Sequence, residues 1–220
     1  MIKQLVINEK KSFDDFGVYI SKRTISTPKK KIIKEALPFS NIVYDFSNID
    51  GEIYWEERSL EYEFDIAETS TEEMEFTKSN LLNWLLNIHD TDIYDPYITD
   101  YHFHGSYDSD SWSEDFGGGT LKVVFKVYPY MIKNEVNIDE MILTSTMTNA
   151  LVLVNNTSGH RIPVDLTIDG EMTLSFNNVN YGLSTGKYEK LFYVNKGENK
   201  IGIESSSGGI FKIEYREERF

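Results

Sequence analysis

The chain of 220 residues contains no cysteine. That excludes a disulfide framework, thiolate catalysis and thiolate metal sites, and it fits a reducing compartment. Cations are scarce, 22 Lys and Arg against 36 Asp and Glu, and a formal net charge of −14 disfavours non-specific contact with nucleic acid. No uninterrupted apolar run approaches the roughly 18 residues of a membrane span. The first residues, Met1-Ile2-Lys3-Gln4-Leu5-Val6-Ile7-Asn8, begin directly as a strand and lack the segments of a secretory signal. The expectation is a soluble protein made in the cytoplasm. Also missing are a G-x-S-x-G elbow, a Walker loop and any glycine-rich turn leading from strand to helix. The common nucleophile and nucleotide motifs are therefore absent.

What is present is β-patterning with many aromatics, 14 Tyr and 13 Phe, which suits sheets and broad interfaces. The clearest stretch is Ser59-Leu60-Glu61-Tyr62-Glu63-Phe64-Asp65-Ile66. Its apolar residues alternate with Ser59 and three carboxylates, the mark of a strand with one face on a core and one in water. Ile42, Tyr44 and Phe46 alternate more weakly, and Asn48-Ile49-Asp50-Gly51 supplies turn residues between the two runs. This predicts two strands and a reversal. Upstream, residues 1–8 and 13–20 read as strands. Residues 23–39 carry Lys29, Lys30, Lys31 and Lys34 between Pro28 and Pro38. Because proline cannot donate to a ladder, this segment reads as an edge, arm or loop.

One helix is expected over residues 78–89. Ser70, Thr71 and Ser79 are candidate caps, and Leu81, Leu82, Leu85 and Ile88 fall at helical spacing beside Trp84. Residues 90–115 are polar, aromatic and without clear phase. Residues 120–128 alternate strongly, with Leu121, Val123, Phe125 and Val127 on one face, and end at Tyr128-Pro129-Tyr130. Residues 131–143 are weakly patterned and acidic, a candidate linker. Beyond them short strands recur at 149–155, 161–167, 171–176, 188–194, 200–204 and 210–216, as in a β-sandwich. A three-residue loop, Ile168-Asp169-Gly170, is expected to pair Leu166 with Met172 and Val164 with Leu174 as a hairpin.

Several groupings resemble chemistry and have plainer readings. His102-Phe103-His104 puts two imidazoles on one strand face, with Asp108 and Asp110 as further oxygens. No third His or Cys lies near, and a polar face beside a loop is the stronger reading. Asp108-Ser109-Asp110-Ser111 lacks the Gly and closing Glu of a calcium loop. Glu56, Glu57, Glu61 and Glu63 could form a glycosidase pair, yet they read as the wet face of a strand. Tyr181, Tyr188 and Tyr193 could stack on sugar, although aromatics of a small sandwich are more often core. The expectation is a non-enzymatic protein with no cofactor and no metal site.

In order along the chain, several residues resemble those of the distal tail proteins of long, flexible-tailed phages and their prophages. They are Asp15-Phe16-Gly17-Val18-Tyr19, Leu37-Pro38 before Asp45-Phe46-Ser47, and Gly51-x-x-Tyr54-x-x-Arg58-x-Leu60-x-x-x-Phe64. The single helix follows, then Gly119-Thr120-Leu121-x-Val123-x-Phe125 running into Tyr128-Pro129-Tyr130. The later half adds Asn155-Asn156-Thr157, Ile162-Pro163-Val164, Ile168-Asp169-Gly170 and Gly197-Glu198-Asn199-x-Ile201. The resemblance implies an all-β protein with one helix and two β-sandwich domains. Residues 1–133 would form the ring-forming domain with an extended arm, and 134–220 a galectin-like or jelly-roll sandwich, the linker lying at about 131–143.

The resemblance further implies a homo-hexameric ring at the tail tip of the virion. That ring joins the tail-tube protein to the baseplate hub, or tail-associated protein, with the tape-measure protein nearby and without nucleic-acid recognition or membrane insertion. Lys29, Lys30, Lys31, Lys34 and Pro38 are the expected interface arm, and Gly17, Gly51, Pro129, Gly170 and Gly197 the expected structural turns. The alternative is a carbohydrate-binding module of the tail tip that makes weak contact with host cell-wall glycans.

Overall fold

A computed structural model describes residues 2–48, 51–68, 70–115, 118–144 and 149–220. The elements of the first stretch are β1 (Val6–Ile7), β2 (Lys10–Lys11), β3 (Tyr19–Ile25), β4 (Lys34–Ala36), β5 (Val43–Asp45) and β6 (Arg58–Ile66). After them come α1 (Thr71–Leu85), β7 (Thr91–Tyr94), β8 (Tyr101–Asp115), β9 (Gly118–Val127) and β10 (Met131–Lys133). The remainder is β11 (Asn137–Leu143), β12 (Asn149–Asn156), β13 (Ile162–Asp169), β14 (Met172–Phe176), β15 (Val179–Leu183), β16 (Gly186–Val194), β17 (Gly197–Glu204), β18 (Gly209–Tyr215) and β19 (Glu218–Arg219). Among the described residues this is an all-β protein with one helix and several antiparallel sheets. The chain divides into two compact units, Met1–Met131 with Phe220, and Ile132–Arg219.

In the first unit an antiparallel sheet runs in the order β2-β1-β7-β8-β9-β6-β3. β6 and β9 are neighbours in it, and their register places Leu60 opposite Phe125, Tyr62 opposite Val123 and Phe64 opposite Leu121. All six side chains are completely buried, so the period-two pattern of each strand lies on one core face. Met74, Leu81, Trp84 and Leu85 of α1 are buried in the same core. The sheet is not flat. On a flat sheet β3 and β7 would stand four strand spacings apart, about 19 Å. Yet Arg23 of β3 forms an ion pair with Asp95, the residue just after β7. The Tyr62 hydroxyl of β6 donates to the same carboxylate at 2.5 Å. The sheet therefore folds over its own core, and Asp95 fastens the fold-over from inside.

The helix begins well before the expected residue 78. The Ser70 hydroxyl accepts from the Glu73 amide, and Glu72 and Glu73 sit in the first turn where the macrodipole favours acids. Met74 then joins the buried face one full repeat before Leu81. Earlier strands also move: β1 is confined to Val6–Ile7, residues 12–16 turn, and β3 starts at Tyr19. The expected reversal between residues 42–46 and 59–66 does not form a pair. β5 pairs with β4, whereas β6 pairs with β3 and β9. Ile49 and Asp50 of that turn lie outside the described residues. So does Gly117 of the glycine run. Residues 90–115, unphased in the sequence, hold β7 and the fifteen-residue β8. A bulge between Tyr107 and Ser109 shifts the alternation of β8 midway.

In the second unit two four-stranded sheets, β11-β18-β13-β16 and β12-β17-β14-β15, face one shared core. The stretch expected as a linker is instead strand, β10 and β11. Asn137 to Leu143 pair residue by residue with Tyr215 to Gly209, and Leu143 enters the core. β15 is also invisible to the pattern, because its residues are mostly exposed. The expected hairpin across Asp169-Gly170 is not one. β13 pairs with β16 and β18, and β14 pairs with β15 and β17. Both apolar rows, Ile162 to Ile168 and Met172 to Phe176, are buried. They face each other across the sandwich rather than side by side in one sheet. Gly170, at φ +111°, carries the chain between sheets, and a Cβ there would stand 2.9 Å from the Gly208 carbonyl. Two asparagines pin neighbouring turns. Asn156 Nδ2 donates to the His160 carbonyl at 2.8 Å, and Asn199 Nδ2 donates to the Asn195 carbonyl at 2.7 Å.

Candidate assembly surface

The lysine-bearing segment is the first half of a long ribbon that leaves the sheet between β3 and β6. At its root the Ser59 amide donates to the Ser26 hydroxyl at 2.7 Å, and that hydroxyl donates to the Ser59 carbonyl at 3.0 Å. The strands then run side by side. The Glu56 amide donates to the Lys29 carbonyl at 2.7 Å, Lys30 bridges Trp55, and the Lys31 amide donates to the Tyr54 carbonyl at 2.8 Å. Ser47 is buried between the strands, its hydroxyl accepting from the Ile33 amide at 2.8 Å. The tip is the β4–β5 pair, with Phe39 at φ +61°.

What this ribbon lacks is a core. Ile32, Ile33, Leu37, Phe39, Ile42, Val43, Tyr44, Phe46, Ile53 and Tyr54 are all exposed. A lone two-stranded ribbon is at best marginally stable in water, and so many exposed apolar side chains on one ribbon point to an interaction site. Lys29, Lys30 and Lys31 are exposed and form no ion pair with described residues. Lys34 faces Asp45 across the tip at 3.7 Å. Bonds from Ser47 and the nearby Lys34 hold the Asp45 carboxyl below its ordinary range. Pro28 is buried at the root, whereas Pro38 is exposed near the tip.

The remaining singled-out residues are dispersed. Gly17, Gly51, Gly170 and Gly197 have φ of +71°, +83°, +111° and +89°, and Pro129 is buried beyond β9. His104 reaches Asp92 through Nδ1 at 2.7 Å and Asp90 through Nε2 at 2.9 Å, and the nearly buried His102 lies 3.5 Å from Asp92. Among the described residues no group of three His, Cys, Asp or Glu is arranged to hold a metal ion. Glu61 and Glu63 are each engaged by a lysine, Lys122 and Lys22, at 2.8 Å. Asp108 and Asp110 sit on β8, a strand rather than a loop, Asp108 being 3.3 Å from Lys126. The three tyrosines make no platform. Tyr181 belongs to one sheet of the second unit and Tyr188 and Tyr193 to the other. Tyr181 and Tyr188 pack against the core.

The buried Asp95 is a site that sequence reasoning misses. It gathers Arg23, the Tyr62 hydroxyl and the Tyr97 amide, and burial together with its charge pushes the Tyr62 phenol well above its ordinary pKa. A carboxylate in an Asp-Pro turn gives no sequence signal of such a role. No helix among the described residues is long and apolar enough to cross a membrane.

No family model matches the chain, and no curated protein matches it. Among solved structures it is similar to the Dit protein of phage SPP1, described as a paradigm of the hub adsorption apparatus in phages that infect Gram-positive bacteria. The superposition covers 100% of this chain and 100% of that one, with a TM-score of 0.67 and 13% sequence identity. The likeness is one of fold over the full length.

Proposed function

We propose that the chain is a structural, non-catalytic component of a phage or prophage tail tip. Six copies close into a ring through residues 1–133, the ring joins the tail tube to the hub, and residues 134–220 form a galectin-like outer domain. The observation that carries this reading is the ribbon of residues 26–57. It displays apolar residues that the chain itself leaves bare, and a closed ring of identical subunits uses heterologous contacts in which such an arm grips its neighbour. The full-length likeness in fold to a phage hub protein supports the setting. Tail-tube, hub and tape-measure proteins are the implied partners, and the virion tail tip the implied location.

Lys29, Lys30, Lys31 and Lys34, with Pro38 near the tip, form the gripping segment. Against an acidic neighbour their charge favours register and association rate more than affinity. The test is the mass in solution by light scattering, with negative-stain images of the peak. A six-copy species with a central hole is expected. Reversing the charge of Lys29, Lys30 and Lys31 should weaken it while each subunit stays folded, and rings that persist unchanged would remove the arm from the interface.

A second reading, contact with host glycans, has one observation in its favour. An open cavity of about 720 Å³ in the second unit is lined by Asn149, Glu171, Thr173, Ser184, Glu204 and Ser205, among others. These are groups that hydrogen-bond hydroxyls. None of the three tyrosines lines it. Pull-down of the full chain by host cell walls, lost on Glu171→Ala with Glu204→Ala, would favour this reading.

A further inference from the structure

Two arginines of the first unit face the interior, and they are treated differently. Arg23 has Asp95. Arg58, the first residue of β6 at the root of the arm, has no carboxylate among the described residues. It is 4% exposed, and its Nε and Nη2 are enclosed with no hydrogen-bond acceptor. Among the described residues its guanidinium carbon stands over the face of Phe103, 4.9 Å from the ring centre. Burial alone pulls its pKa down to about 10, with no nearby acid to oppose the shift. It therefore stays charged at neutral pH. A buried, unpaired cation opposes folding, because a quadrupole replaces only part of the lost hydration. Nothing among the described residues explains why an arginine rather than a methionine stands there.

Position supplies the explanation. Nη1 is the one guanidinium nitrogen that is not enclosed, and it has no partner among the described residues. Arg58 lies where the arm joins the sheet, one residue beyond Glu57 and next to the Ser26–Ser59 clip. A second copy of a chain with 36 acidic and 22 basic residues presents mostly carboxylates to an arginine. We propose that Arg58 is the receiving group for a carboxylate of a second copy, so that the charge left unpaired in the free subunit is paired only on association. A planar guanidinium with a free Nη edge suits a carboxylate better than lysine would. This inference rests on the reading of the chain as one that assembles with itself.

The experiment compares the full chain with Arg58→Met, which keeps the volume and removes the charge. Stability is read by urea unfolding at high dilution, and self-association by sedimentation equilibrium. The expected result is a midpoint equal to or above that of the parent, together with self-association weakened about thirtyfold or more. Arg58→Lys should weaken association less than Arg58→Met. A Met variant that is less stable at dilution would mean that the subunit already satisfies Arg58, and the proposal falls. Unchanged association of the variant overturns it too and leaves the ring reading standing. A parent chain that self-associates without closing at six copies, while the variant associates far more weakly, sinks the ring and keeps Arg58. A parent that stays monomeric at every concentration excludes the second copy as the partner.

Discussion

Asp95 holds the folded-over sheet because three donors from three segments converge on one carboxylate with no solvent exposure of its side chain. Removing it strands a phenol in the core and deprives Arg23 of its partner. Breaking a buried pair in this way costs about 3–5 kcal/mol, so Asp95→Ala should destabilise the first unit by that much, read from urea unfolding. Asp95→Asn, which keeps acceptor capacity, should lose less. His104 supplies a second check at this scale. Both its nitrogens face carboxylates, an arrangement only the imidazolium satisfies with two donors. Partial burial pulls its pKa down, but bonds to Asp92 and Asp90 outweigh it and the net shift is upward. The sign follows from linkage. The stabilisation is complete below the unfolded value of about 6.5 and is lost as pH rises through the higher folded value. Across that window His104→Asn should flatten the pH dependence of stability, and an NMR titration of His104 should report the raised pKa directly.

Among the elements, the arm is the one whose removal should leave its own subunit intact. It is clipped to the sheet at Ser26 and Ser59, and none of its described residues from 29 to 56 belongs to the first core. Replacing residues 29–56 with a short Gly-Ser turn should therefore leave the unfolding midpoint unchanged and abolish self-association. The arm is legible in the sequence as Pro-bounded and lysine-rich, and β6 and β9 are legible through unbroken alternation. Pairing is much less so. Leu166 and Met172 carry the same signal whether their strands are hydrogen-bonded neighbours or opposite walls of a sandwich. The choice depends on Gly170 meeting Gly208, 38 residues further along the chain. The start of α1 is obscured because Thr77 and Lys78 stand on the stripe between Met74 and Leu81 and the intervening Phe76 is exposed, so the apolar stripe is unbroken only from Leu81 onward. Arg58 is visible only as a motif position, since burial without a partner is a property of the folded chain.

For the molecule as a whole, the buried apolar residues form two distinct clusters. The first contains Phe125 and the second Phe211, both completely buried. Calorimetry should resolve more than one transition, and Phe125→Ala and Phe211→Ala should each lower a different one, by about 3–5 kcal/mol in the affected unit. A single transition moved equally by both substitutions would show the units to be cooperative. The fold-level likeness to a phage hub protein spans both units, so a chain cut to one of them should fold and yet not replace the whole.

The bare ribbon also sets the lifetime of a copy that has found no neighbours. Proteases take extended, unpacked segments, and trypsin cuts after lysine. Lys29, Lys30, Lys31 and Lys34 are all exposed along such a segment. A brief digestion of the free chain should cut within residues 29–34 before anywhere else, and an assembled copy should resist. Surplus subunits then carry their own point of disposal. The cell's degradation machinery would trim any excess of unassembled copies.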